Sequence, residues 1–352
     1  MPSFERRDYS LSGGVADAVA LDGERIEHRV EERWWSPEIP RATLKKLMRR
    51  GDRLTWWNFA PWLLLLGASG LIAALSWNSW WAVPAFFVYG TIYSSSDARW
   101  HECGHGTPFR TRWVNELFYH LCSFMTLREG YLWRWSHARH HTYTLMVGRD
   151  SEIDIQRPAN LPGIIADFLY LRGGPSELAR IVRHAFGVLD GDVRDFVPEG
   201  ERAKMIWSSR VYVAIIAGVG VWSLAIESFL PMMFVATPRF YGGWLHHLLA
   251  MTQHAGLAEN VADHRLNSRT VYINPVFRFL YLNMNYHVEH HVFPMVPFHA
   301  LPKLHEEIGD RTPPAYDGLW AVYRELIPVL IRQARTDPDH HIRRALPETA
   351  AV

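Results

Sequence analysis

Eight of the chain's nineteen histidines fall into three tight clusters: His101-Glu-Cys-Gly-His105, His137-Ala-Arg-His140-His141 and His287-Val-Glu-His290-His291. On a helix, residues three and four apart share a face, with Cβ atoms about 5–6 Å apart. Each cluster therefore presents its imidazoles in one direction. Neutral imidazole is the commonest protein metal ligand. Eight of them exceed what a single ion can coordinate, so the arithmetic points to two metals. Zinc accepts imidazole readily, although structural zinc sites usually stop at four ligands and often include cysteine. Iron, copper and nickel also suit imidazole. Haem ligation would use one or two histidines and leave most of these unexplained.

A metal-bound imidazole usually donates its second N–H to an acid or a carbonyl. Glu102 and Glu289, inside the clusters, and Asp97 and Asp263, near them, are the candidates for that role. The competing reading makes them plain surface acids. His28, His184, His340 and His341 lie outside the clusters and read as surface or hydrogen-bonded core residues.

The elements that must position these residues look membrane-bound. From Leu54 to Ser96 there is no charged residue, a stretch long enough for two passes of a hydrocarbon core about 30 Å thick. Trp77-Asn78-Ser79-Trp80-Trp81 reads as the turn between them. A second apolar region, Val211 to Met251, carries only Glu227 and Arg239, with Pro231 near its centre. Four spans are expected, at about 55–76, 80–98, 210–229 and 232–252, arranged as two hairpins. Arg41, Lys45, Lys46, Arg49, Arg50 and Arg53 precede the first hairpin, while its turn holds no Lys or Arg. The positive-inside rule then places both hairpin bases, and all three clusters, at the cytosolic face. Arg239 within the fourth span needs a carboxylate, a carbonyl or a water-filled cavity beside it.

The expected fold is thus an all-α membrane protein with a cytosolic helical cap. Residues 1–53 form a cytosolic segment, irregular to about residue 40 and ending in a basic amphipathic helix near Arg41–Arg50. Residues 54–310 form the membrane domain, and 311–352 a final helix and polar tail. Interfacial helices are expected at Trp113–Leu127 and Asn160–Leu171, a loop over 185–209, a short helix at His299–Ile308 and a last one near Trp320–Ala334. The N-terminus lacks the apolar core of a signal peptide. A formal net charge of +1 argues against nucleic acid as a partner. Two cysteines, Cys103 and Cys122, support no disulfide framework.

The three clusters, as His101-Glu-Cys-Gly-His105-Gly-Thr, His137-Ala-Arg-His140-His141-Thr and Asn285-Tyr-His287-Val-Glu-His290-His291, resemble the histidine boxes of the membrane fatty acid desaturase superfamily. The resemblance covers roughly Arg53 to Ile308. With Gln253-His254-Ala-Gly-Leu-Ala-Glu-Asn and Asn283-Met-Asn-Tyr, it is most similar to bacterial members grouped with the oxygenase of rhizopine catabolism. It implies an inner-membrane enzyme with two iron ions that uses dioxygen and external electrons to oxidise an unactivated C–H bond. Fatty-acyl desaturation is the leading outcome; hydroxylation and oxidative demethylation run on the same scaffold. It also implies a ninth histidine ligand before the third box. Among His246, His247, His254 and His264, the Gln-His pattern favours His254, with His247 second. No nucleotide fingerprint, haem-domain signature or cysteine cluster is present, so electrons should come from a separate ferredoxin- or Rieske-type donor and its reductase. The run Gly148-Arg149-Asp150-Ser151-Glu152-Ile153-Asp154 also resembles a family element, either a rim contacting the substrate headgroup or a solvated loop. A membrane metal-binding or transport protein is the non-enzymatic alternative; it predicts ligands spread through the spans.

Overall fold

The structure is a computed structural model, and it describes residues 7–11 and 34–347. His28 and most of the irregular segment before residue 34 lie outside the described residues. The described chain is helical, with one two-residue parallel pairing between β1 (Val271–Tyr272) and β2 (Tyr316–Asp317).

A short basic helix, α1 (Arg41–Leu47), leads through Gly51 into α2 (Asp52–Leu75). The turn at Trp77–Trp81 reverses the chain into α3 (Ala82–Ser94), and α2 packs along α3. The stretch Arg41–Leu75 and helix Glu199–Ala225 are long and apolar enough to cross a membrane, and only 28% and 17% of their most apolar windows are buried. Core helices of a soluble protein would be mostly covered. Here Leu64, Leu71, Ile72, Leu75, Val221 and Leu224 face outward instead.

The other two expected spans differ from the helices observed. Helix α3 stops at Ser94, and α4 (Ser96–Gly104) starts anew after Ser95, whose hydroxyl accepts from Trp62 Nε1 and donates to Ile92 O. The span expected at 232–252 is three short helices. Thr237-Pro238 ends the first, because proline lacks a donor and crowds the preceding turn. Gly242-Gly243 ends the second. After α5 (Arg112–Met125), α6 (Gly130–Tyr143), α7 (Leu161–Ala166) and α8 (Gly173–Ala185), the region expected to be a loop holds α9 (Gly191–Phe196) and the start of α10 (Glu199–Ala225). Helix α10 thus begins well before the expected third span; Pro198 precedes its first turn, where Glu199 and Glu201 favour the helix N-terminus. Then come α11 (Leu230–Val235), α12 (Pro238–Gly242) and α13 (Trp244–His254).

The glycine break has a use. A Cβ on Gly242 would sit 1.9 Å from Gly90 C, so α12 and α3 touch backbone to backbone. Around this contact Phe86, Tyr89, Tyr93, Phe59 and Trp62 form the largest buried cluster. The chain closes with α14 (His264–Asn267), α15 (Pro275–Leu280), α16 (His287–Val292), α17 (Leu301–Ile308) and α18 (Leu319–Arg335).

Candidate metal centre

All three boxes sit on or at the end of helices. His101 and His105 occupy the last turn and C-cap of α4; His137, His140 and His141 lie in α6; His287, His290 and His291 lie in α16. His254 ends α13. These elements bring nine imidazoles together in two groups. One is His101, His105, His137, His141 and His290; the other contains His140, His254 and His291. His287 joins the second, with its Nε2 2.8 Å from His254 Nε2 and 3.1 Å from His291 Nε2.

The geometry fits metal ions better than a hydrogen-bonded core. His105 Nε2 lies 3.0 Å from His137 Nε2, which lies 3.1 Å from His141 Nε2; His290 Nε2 is 3.2 Å from His141 Nε2. Such spacings suit nitrogens sharing an ion with bonds of about 2.0–2.1 Å. Both ring nitrogens of His101, and Nδ1 of His141, His287 and His290, are buried without a hydrogen-bond partner. Buried polar atoms are rarely left so; at His101, where neither nitrogen has a partner, an ion would supply the missing contact, whereas the other three rings enter the groups through Nε2. Burial, with repulsion among neighbouring rings, pushes His101, His137, His141, His254, His287, His290 and His291 well below the usual histidine range, and burial brings His105 down to about 4. The rings are therefore neutral, the form that ligates.

Carboxylates orient several rings from outside, and they come from a loop. His137 Nδ1 is 3.0 Å from Glu152 Oε2, and His140 Nδ1 is 2.9 Å from Asp150 Oδ2. Burial opposes charge at His140, but the Asp150 carboxylate outweighs it and raises the pKa. Burial raises Glu152 to about 7. His254 Nδ1 donates to Asn267 O at 2.7 Å, and Thr144 Oγ1 lies 3.1 Å from His291 Nδ1. The headgroup-rim and solvated-loop readings of Gly148–Asp154 both missed these contacts. Two acids two residues apart, a few positions beyond box two, were the available signal.

Of the four acids expected to support the boxes, Glu102 alone among them stands between box imidazoles. Its Oε1 is 3.8 Å from both His101 Nδ1 and His290 Nδ1, beyond hydrogen-bond range, while Oε2 accepts from Phe298 N and Thr107 Oγ1. Burial lifts this carboxyl to about 8. The others are turned elsewhere. Glu289 accepts from His305 Nδ1 and Thr270 Oγ1, each at 2.5 Å. Asp263 caps α14 through Arg265 N and pairs with the Arg265 guanidinium. Asp97 binds Arg239 Nη2 at 2.6 Å, which supplies the carboxylate Arg239 needs, and lies 3.3 Å from His246 Nε2.

The remaining candidates for the ninth position stand apart. His246 faces Asp97, and His247 Nε2 meets Ile164 O at 3.1 Å. His264 stacks on Trp34 with ring centroids 4.2 Å apart and lies tilted beside His291 at 5.0 Å, outside the two groups. His184, buried, pairs with Glu129 Oε2 at 2.6 Å. A cavity of about 480 Å³ opens beside the centre, and its lining includes His101, His137, His140, His254 and His287.

A family profile described as "Fatty acid desaturase" matches residues 78–323. The chain is similar to an sn-1 oleoyl-lipid 12-desaturase of Synechocystis sp., 22% identical over 73% of this chain and 77% of that protein. It is 25% identical to an sn-1 acyl-lipid omega-3 desaturase (ferredoxin) of the same organism, over 70% of this chain and 72% of that one. To the sphingolipid delta(4)-desaturase/C4-monooxygenase DES2 of Homo sapiens it is 25% identical, over 77% and 79%.

Proposed function

Since the chain belongs to the fatty acid desaturase family and is an oxidoreductase, we propose that it is a multi-pass membrane enzyme oxidising a lipid C–H bond at a two-iron centre. The observation that carries this reading is the convergence of nine imidazoles from α4, α6, α13 and α16 into two adjoining groups. The five- and four-histidine groups would hold one iron each. Such a centre, when loaded, supplies reduction of dioxygen and removal of hydrogen from an unactivated carbon.

For desaturation the balance is one dioxygen, two external electrons and two protons, with two hydrogens leaving adjacent carbons, to give an alkene and two waters. The protein's part is positional. Asp150 and Glu152 fix two rings of α6 and keep their outer nitrogens protonated, while Asn267 O does the same for His254. A misplacement of about 1 Å between substrate and oxidant redirects or stops such a reaction. The electron donor is a ferredoxin- or Rieske-type protein with its reductase; the omega-3 relative, named for its use of ferredoxin, supports the first. In this reading the chain makes four passes, through α2, α3, the apolar part of α10 and the broken segment 232–252, with the centre at the cytosolic face of the inner membrane. The six basic residues from Arg41 to Arg53 support that orientation. Residues 54–310 then form the membrane domain, flanked by cytosolic 1–53 and 311–352.

Hydroxylation is the second reading, favoured by the relative named both desaturase and C4-monooxygenase. Mass spectrometry of products formed under ¹⁸O₂ separates the two: loss of two hydrogens marks desaturation, and gain of one ¹⁸O marks hydroxylation. Full turnover by protein holding well under two irons per chain would defeat the two-iron reading.

A further inference from the structure

Besides the histidines, the cavity lining carries buried charged groups, which is unexpected for a chamber meant for an alkyl chain. Arg128 is held between the rings of Trp100 and Trp133, 4.4 and 4.1 Å from their centroids. Its guanidinium lies 3.6 Å from Asp97 Oδ2 and makes no side-chain hydrogen bond to another described residue. Arg239 leans on the same Asp97 oxygen at 2.6 Å, with its Nε unpartnered. Glu177 is buried, gives one oxygen to Arg180 and leaves the other without a partner. All of these residues line the cavity.

A bare hydrocarbon placed here would leave these groups dehydrated with nothing in exchange. An unsatisfied buried polar group costs about 1–3 kcal/mol, and a charged one more. The unused donors of Arg128 and the free oxygen of Glu177 instead match a ligand with its own acceptors and donors. Two guanidiniums sharing one Asp97 oxygen favour an anionic or hydroxyl-rich acceptor. The distance to the centre is short: the Trp100 ring that carries Arg128 is 5.8 Å from the His137 ring.

Resting on the two-iron reading above, we propose that this cavity receives the polar end of the substrate, a carboxylate, phosphate or cluster of hydroxyls held by Arg128, so that the carbon oxidised lies within a few bonds of that end. The same chemistry is met in a lipid headgroup and in a compact soluble molecule. Trp100 and Trp133, whose rings meet at 87°, hold the planar guanidinium in the corner between them and preorganise it for bidentate recognition of an oxyanion.

The test uses the full-length, iron-loaded protein in detergent, titrated calorimetrically with sn-glycerol 3-phosphate and, separately, with dihexanoyl phosphatidic acid. Saturable binding of either probe, weakened at least tenfold in R128Q and partly restored in R128K, supports the proposal. If the soluble probe binds, a compact molecule suffices; if the lipid probe alone does, the polar end belongs to a lipid. E177Q provides a second variant, at the cavity's unpartnered carboxylate oxygen. Absence of binding by both probes, or an affinity changed less than twofold in R128Q, overturns the proposal. Iron content is read in every sample: a protein without iron fails the two-iron reading, whereas an iron-loaded protein indifferent to Arg128 fails only this one.

Discussion

His137 and Glu152 meet at 3.0 Å between Nδ1 and Oε2, and Ser136 Oγ donates to the other carboxylate oxygen at 2.8 Å. One residue of α6 thus faces the centre while its neighbour steadies the acid behind it. This relation makes a loop acid part of the ligand geometry. Replacing such an outer partner typically costs 10–100-fold in metal affinity or activity. Glu152→Gln and Asp150→Asn should each weaken iron binding or turnover by about that range, measured by iron titration and product formation. A change below twofold would remove these acids from the centre.

His254 and His247 occur seven residues apart on one helix, yet only His254 reaches the other imidazoles. His254→Ala should bring iron content from two per chain toward one and abolish turnover. His247→Ala should retain two irons. Elemental analysis of the purified proteins decides between them, and equal iron in both variants would refute the assignment.

Gly242→Ala forces a methyl group into the backbone of Gly90. Overpacking of this kind costs about 1–3 kcal/mol, occasionally more. A Cβ at Gly67, within α2, meets nothing within 4 Å, so Gly67→Ala should be neutral or stabilising by up to about 1 kcal/mol. Thermal unfolding in detergent should show a lower midpoint for the first variant only.

Removing the metal should destabilise the chain by mass action. At a free iron concentration of 100 Kd, a ligand bound only by the native state contributes about 2.7 kcal/mol per site. Adding Fe(II) to chelator-stripped protein should therefore raise the unfolding midpoint, and His290→Ala should blunt the rise. A midpoint indifferent to iron in the native sequence would contradict this.

The centre was far more legible in the sequence than its supports. Helical spacing alone brings His137 and His141, one turn apart, onto one face, and α6 realises that spacing directly. The roles of Asp97 and Glu152 depend on contacts that spacing does not encode. Asp97 looked available for a box imidazole until Arg239, 142 positions away, claimed it. Glu152 reaches His137 because the loop after box two folds back, with Asp150 accepting from Leu145 N and Glu152 N. The apolar run around Arg239 concealed two helix breaks, because hydropathy does not register that Thr237-Pro238 and Gly242-Gly243 interrupt the ladder.

Helix α6 gives His137 and His141 to one group of imidazoles and His140 to the other; α16 likewise gives His290 to one and His287 and His291 to the other. The separation of the two positions is therefore written in helical pitch and not in flexible connections. Any ion that settles one position fixes the same two rods for its neighbour. Loading should consequently be cooperative, with empty and doubly filled molecules outnumbering those that hold a single ion.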